Sequence, residues 1–280
     1  MRDDRPSLTA RGAAGHRAAH QLLEKGSVFR DPFAREILGV EGCLEADERA
    51  RDKSLRPLRL LIAARSRFAE EALAEAVGRG LRQAVVLGAG LETLGLRNPH
   101  AAAGLRVFEV DHPATQVWKR RRLSQAGFAL PPSLTFVPLD FERESLTERL
   151  AREGFDSGAP AFFFWLGVVP YLTRASVMAT LGFIAQIPGG EVVFDYSEPL
   201  EAYPPDRRGG VEALIARTAA AGEPMIFFPP SAGLVQDLRG LGFEEVEDLD
   251  LAAISSRFLG GPRGRGRRAG PHFFRARRRG

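Results

Sequence analysis

The residues best placed to do chemistry cluster around a short glycine turn. In VVLGAGLET, residues 85–93, an apolar run breaks into Gly88-Ala89-Gly90. Glycines at such a break permit positive φ and let a ligand approach the backbone closely. A second apolar run, VFEVDHP, closes on Asp111, with Glu109 two residues earlier and His112 directly after. If the strand continues through 111, both acids share one face. A carboxylate ~20 residues beyond a glycine turn can accept hydrogen bonds from both hydroxyls of an adenosine ribose. It could instead be a helix cap or turn residue. A third run ends in Pro138-Leu139-Asp140-Phe141. Asp140 could accept from an adenine amino group, with the backbone of Phe141 against the ring edge, although strand-end aspartates are also common loop starters.

The same signals suit a dinucleotide-dependent oxidoreductase, so the spacing has to arbitrate. The strict fingerprint G-x-G-x-x-G needs its third glycine where Thr93 stands, and Gly95 comes too late. Glu92 would also put negative charge near a pyrophosphate. A cationic sulfonium bearing an amino group tolerates that charge.

These residues need a parallel sheet to hold them. Gln83–Leu87, Leu105–Val110, Ser133–Leu139, Pro160–Leu166 and Glu191–Phe194 read as short buried strands. Helical patterns at Thr115–Ala126, Ser145–Arg152 and Arg174–Gln186 lie between them. Alternating strands and helices imply βαβ units and a doubly wound sheet. Glu244–Leu249 and Phe273–Ala276 supply two more strands, with helices at Gly210–Ala221 and Ala232–Leu241. Upstream, helices are predicted at Ala13–Leu23, from Asp31-Pro32 to Gly39, and at Leu58–Val77. We read residues 1–80 as a helical lid within one domain, and 81–280 as the core, with an insertion near 197–230.

Composition narrows the function classes. Cys43 is the lone cysteine among 280 residues, which excludes an internal disulfide or a thiolate metal cluster. The five histidines form no H-E-x-x-H pattern, and no metal is expected. The charged N-terminus lacks the apolar core of a secretory signal. No apolar run approaches the ~20 residues of a membrane helix. A cytoplasmic location follows by default. Net charge is +4, but Arg263, Arg265, Arg267, Arg268, Arg275, Arg277, Arg278 and Arg279 stand at the end without an acid, leaving the rest near −4. Such a tail can attract nucleic acid. No aromatic stacking platform accompanies it, so we read it as a solvated loop and last strand in an arginine-rich chain with three lysines and 36 arginines.

Taken in order, AHQLLEKGSVFRDPFAREILG, ARSRF, VVLGAGLETLGLR, FEVDHPATQVWKR, FVPLDFER and WLGVVPYLT resemble the leucine carboxyl methyltransferase family. The likeness is to its bacterial branch, which includes polyketide carboxyl methyltransferases, and it covers most of residues 10–250. It implies a class I methyltransferase fold: α/β, Rossmann-like, with a seven-stranded mostly parallel sheet, helices on both faces and an N-terminal helical lid. It implies S-adenosyl-L-methionine as cofactor and a small-molecule acceptor in natural-product biosynthesis. Carried over by position, Arg65 (with Arg67 as the alternative) would hold the methionine carboxylate. Gly88, Ala89 and Gly90 would line the methionine and ribose portion. Asp111, with Glu109 and His112 beside it, would bind the ribose, and Asp140 and Phe141 would flank the adenine. Leu166, counted with the cofactor-binding positions, stands where part of the family has glutamate, a departure that bears on the substrate side.

The chemistry asks little of side chains. An oxygen nucleophile attacks a sulfonium methyl in line, so near-attack placement supplies most of the acceleration. A carboxylate acceptor, with a pKa of ~4, is already ionised, whereas a phenol would want a base. No base stands out in the sequence. Tyr171 and Trp165 are candidates for the methyl side, with core packing as their alternative role. Tyr196, Tyr203, Phe227 and Phe228 could wall an acceptor pocket or seal the core edge. The competing readings are an NAD(P)-dependent oxidoreductase, a cofactor-binding homologue without turnover, and a nucleic-acid methyltransferase resting on the arginine tail.

Overall fold

Five consecutive buried residues, Gln83–Leu87, form strand β1. A strand apolar on both faces must be covered on both. The one polar member, Gln83, is satisfied in place: its amide donates to the carbonyl of Asp156 at 2.9 Å and accepts that residue's N–H at 2.9 Å. The computed structural model describes residues 8–141, 143–262 and 269–279. It divides into two compact units, 1–156 and 157–280.

The first unit contains helices α1 (Leu8–Leu23), α2 (Ala34–Ala50) and α3 (Arg56–Gly78), then β1. Next come α4 (Leu94–Arg97), β2 (Arg106–Asp111), α5 (Pro113–Gln125), β3 (Leu134–Pro138) and α6 (Leu146–Arg152). β1 pairs with β2 and β2 with β3, all parallel. The register sets Leu87 opposite Val110 and Asp111 opposite Pro138, so the three strands finish together.

The N-terminal helices pack as part of this unit. Ala14 and Ala18 of α1 share one core cluster with Ile37 and Leu38 of α2, Leu91 and Leu96 beyond β1, and Leu123 of α5. α2 runs past the predicted stop at Gly39. That residue breaks the helical conformation (φ 72°, ψ −177°), and the helix resumes to Ala50.

The second unit holds β4 (Ala161–Trp165), α7 (Arg174–Gln186), β5 (Glu191–Ser197), α8 (Pro205–Ala220) and α9 (Ser231–Gly240). β6 (Glu245–Leu249), α10 (Leu251–Phe258) and β7 (Pro271–Arg277) follow. β4 and β5 are parallel, and β7 runs antiparallel between β5 and β6. The strand order is β3-β2-β1-β4-β5-β7-β6, a seven-stranded, mostly parallel sheet of the expected class. Two helices escaped the sequence reading. α4 has only four residues, and α10 is capped by Asp250, whose carboxylate accepts the N–H of Ala253 at 2.8 Å. Among the described residues, no helix is long and apolar enough to cross a membrane.

Candidate functional site

Beyond β1 the chain takes two left-handed steps, at Gly88 (φ 65°) and Gly90 (φ 47°), with Ala89 between them. Residues with a Cβ adopt these values at a cost, which accounts for the glycines. The N–H of Ala89 donates to the carbonyl of Val110 at 3.0 Å. One step on, the N–H of Gly90 donates to Oδ2 of Asp111 at 2.5 Å, and that of His112 to Oδ1 at 2.7 Å. The carbonyl of Asp111 accepts the N–H of Leu139 at 2.9 Å. A continuous hydrogen-bonded ledge therefore runs along the three strand tips, with Asp111 at its centre. Burial pushes the Asp111 carboxyl up. The N–H groups of Gly90 and His112, the charge of Lys119 and a hydrogen bond with Thr115 oppose that without reversing it.

The flanks of the ledge are more open. Asp140 is half-buried; its N–H donates to Glu144 at 3.0 Å and its carboxylate faces Arg143 at 3.7 Å. Phe141 next to it is 51% exposed, a large apolar ring left uncovered at a strand tip. His112 caps α5, its Nδ1 accepting the N–H of Ala114 at 3.2 Å. Arg65 lies half-buried on α3.

Next to the glycine turn and β2 is a buried ionic layer that local sequence spacing does not announce. Glu109 is fully buried and receives the Nζ of Lys119 at 2.6 Å. Lys119 also donates to the carbonyl of Glu92 at 2.5 Å. Glu109 precedes Asp111 by two residues on β2, so the two acids share a face of that strand, and Lys119 holds the Glu109 carboxylate. Gly95 belongs to the same layer: a Cβ there would stand 2.8 Å from Oε1 of Glu109. Glu92 is part of the same layer. It faces Arg17 at 3.3 Å and Arg97 at 3.9 Å. Burial raises its carboxyl, but Arg17, Arg97, the N–H of Thr93 and Lys119 together bring it down to about 2. Its charge is matched inside the protein by Arg17 and Arg97. Arg97 is held in turn by Glu70, and Asp31 lies 3.4 Å from Arg17 and 3.6 Å from Arg97. Asp31, expected as the cap of a helix starting at Pro32, accepts the N–H of Phe33 at 3.2 Å, but α2 starts only at Ala34, with Phe33 in the cap position. Charges drawn from α1, α3, α4 and the loops between them meet here only through tertiary folding, so no local spacing announces them.

In the second unit, Trp165 is 2% exposed and sits edge-on to Phe194 at 6.4 Å, so its indole is part of the core. Leu166 follows it, half-buried, and the N–H of Gly167 donates to Asp195 at 2.6 Å. Tyr171 is half-buried at the end of a short 3-10 turn. The carbonyl of Pro170 accepts the N–H groups of Ile226 and Phe227, at 2.7 and 3.1 Å. Tyr196, Tyr203 and Phe227 are buried. His272 is fully buried against Asp248 at 2.5 Å and Glu198 at 3.4 Å, and Asp248 accepts from Ser231 at 2.5 Å. Of the terminal arginines, Arg275 pairs with Glu191, and Arg277 and Arg279 with Glu245. Arg263, Arg265, Arg267 and Arg268 lie outside the described residues.

Several known proteins are similar to this chain. YktD of Bacillus subtilis, which carries the name of an S-adenosyl-L-methionine-dependent methyltransferase, is 33% identical over 80% of this chain and 82% of its own length. The similarly named SCO7813 of Streptomyces coelicolor is 32% identical over 64% of each chain. Among solved structures, a methyltransferase-like protein of Thermobifida fusca superposes with a TM-score of 0.61 at 15% identity, covering 99% of this chain and 96% of that one. At that identity the likeness speaks for the fold. The leucine carboxyl methyltransferase profile matches residues 10–185. An α/β sheet with a glycine turn tied to an acid on the next strand, and relatives spanning most of the chain, lead to one conclusion: the chain belongs to the leucine carboxyl methyltransferase family, and is an S-adenosyl-L-methionine-dependent methyltransferase.

Proposed function

We propose that the enzyme methylates an oxygen of a small molecule, with a carboxylate as the favoured acceptor, and that the ledge around Asp111 holds the cofactor. One observation carries the reading of the site: Asp111 accepts the N–H of Gly90 on one oxygen and that of His112 on the other. Gly90, His112 and Thr115 take three of the roughly four lone pairs of the carboxylate, so Asp111 is already oriented and can still accept from a ribose hydroxyl. Gly88 and Gly90 expose backbone in place of side chains, which suits close approach by the methionine portion. The exposed ring of Phe141 and the adjacent Asp140 offer an apolar and a polar neighbour for an adenine. Arg65 remains the candidate for the methionine carboxylate, since a guanidinium binds a carboxylate in two-pronged fashion.

When bound, the cofactor supplies an electrophilic methyl on a sulfonium whose departing thioether is neutral. The protein's own task is then to place an acceptor oxygen in line and exclude water. A carboxylate acceptor needs no proton removed at neutral pH. The commitment of His112 to capping α5 supports that choice, because the histidine nearest the ledge already has its Nδ1 in use. Tyr171 and Leu166 are the candidates for shaping the acceptor side, and α1–α3 are the candidate lid.

Calorimetry with S-adenosylhomocysteine and NAD tests the site: the former should bind and the latter should not. Methyl transfer from labelled cofactor to a panel of small carboxylic acids, alcohols and phenols tests the acceptor. Turnover confined to phenols would overturn the carboxylate reading.

A further inference from the structure

We infer that α1 is a latch on the glycine loop, and that Arg17 is the positioning residue through which cofactor binding and docking of this helix are coupled. The inference rests on the proposal that residues 88–90 hold the cofactor. Arg17 is 5% exposed and spends its guanidinium on three groups. Nη2 donates to the carbonyl of Leu91 at 2.5 Å, Nη1 to Glu92 at 3.3 Å, and Nε faces Asp31 at 3.4 Å. Leu91 directly follows Gly90, whose N–H is fixed by Asp111. The loop is therefore pinned on both sides, by the tip of β2 and by α1.

A second contact lies two turns earlier on the same helical face. A Cβ at Gly90 would stand 3.1 Å from that of Ala10, so the absent side chain makes room for α1. Residues seven apart on a helix share a face, and here both members of the pair meet the same loop. Two glycines at positive φ leave this loop with alternatives once its partners are gone. Pinning the carbonyl of Leu91 removes some of those alternatives before any ligand arrives.

Coupling of this kind is reciprocal. If α1 favours the loop conformation that binds the cofactor, the cofactor must favour docked α1. Hydrogen exchange on the full-length protein, with and without S-adenosylhomocysteine, reads this directly. The ligand should slow amides of residues 88–92 and also those of residues 8–23, by tenfold or more. In Arg17→Gln, S-adenosylhomocysteine should bind about tenfold more weakly and the protection of residues 8–23 should vanish. Arg17→Lys, which keeps a charge able to reach the loop carbonyl, should bind within threefold of wild type. Protection of 88–92 with α1 exchange unchanged would overturn the latch and leave the cofactor reading standing. Binding without protection of 88–92 would instead count against that reading, and the latch would fall with it. Wild-type affinity in Arg17→Gln would show a merely structural arginine and also overturn the latch. The wild-type comparison decides the matter even if that variant does not fold.

Discussion

The carboxylate of Asp111 and the backbone N–H of Gly90 meet at 2.5 Å, across the gap between the tip of β2 and the loop after β1. The parallel register makes this possible. Leu87 pairs with Val110, so Asp111 is the first residue of β2 past the stretch paired with β1, and its side chain reaches the turning chain. The contact converts two separate sequence motifs into one polar surface.

Asp111→Ala should weaken S-adenosylhomocysteine binding more than tenfold. The ribose contact is lost, and the N–H groups of Gly90 and His112 lose their acceptor. Asp111→Asn, with one carbonyl oxygen left, should fall between. Calorimetric titration of the three proteins gives the order, and an unchanged affinity in the alanine variant would refute the ribose assignment.

Lys119→Met tests the buried layer. It would leave Glu109 fully buried without its cation, and a broken buried pair typically costs ~3–5 kcal/mol. Adding Glu109→Leu should recover much of that loss, because replacing both charges with apolar groups removes the uncompensated one. Urea unfolding of both variants gives the comparison. A double variant no more stable than the single would mean that Glu109 is not the group left stranded.

Much of this was legible in sequence. The five central strands are short apolar runs closed by glycine or an acid, and the structure places β1 on Gln83–Leu87 and α7 on Arg174–Gln186 as expected. What escaped is what depends on tertiary neighbours. Gly95 reads as a glycine out of register for a dinucleotide motif, yet its place follows from Leu134 and Glu109 lying against it, where a Cβ would stand 2.5 and 2.8 Å from them. Ser231, Asp248 and His272 come from three elements of the second unit and meet only when β7 inserts between β5 and β6. Asp31 reads locally as a cap and is also an ionic partner of Arg17 and Arg97. Periodicity reports which face of an element is buried; it cannot report which buried charges will face one another.

The first joint of the N-terminal helices should be sensitive to acid. His20 is fully buried; its Nε2 accepts the N–H groups of Val28 at 3.3 Å and Phe29 at 3.4 Å, and its Nδ1 faces Glu24 at 3.2 Å. Burial lowers its pKa below 6.5, helped by Arg59 and opposed by Glu24. A histidine lowered in the folded state binds protons more readily when unfolded. Its contribution is therefore complete above about 6.5 and is lost as pH falls through the window beneath that value. His100 is also lowered by burial and supplies a background of the same sign. The stability of wild type should thus fall more steeply from pH 7 to 5 than that of His20→Gln. Denaturant midpoints across that range would show it, and parallel curves would dismiss His20 as the sensor.

A mutant cycle at Gly90 and Ala10 separates two reasons for a glycine. Gly90→Ala meets both a positive φ of 47° and a contact of 3.1 Å to the Ala10 Cβ. A left-handed conformation costs a residue with a Cβ roughly 1–2 kcal/mol wherever its neighbours lie. The contact is a different matter, because Ala10→Gly removes its far side. If backbone strain alone rules, the loss in Gly90→Ala should be the same in either background. If packing of α1 matters as well, the loss should shrink in the Ala10→Gly background, and the coupling between neighbours in contact should reach about 0.5 kcal/mol or more. Ala10→Gly itself destabilises α1 by up to ~1 kcal/mol, a term that cancels in the cycle. We expect the coupled result, because α1 also grips the adjoining carbonyl of Leu91 through Arg17. Strict additivity in urea unfolding would mean that the loop holds its shape without the helix above it.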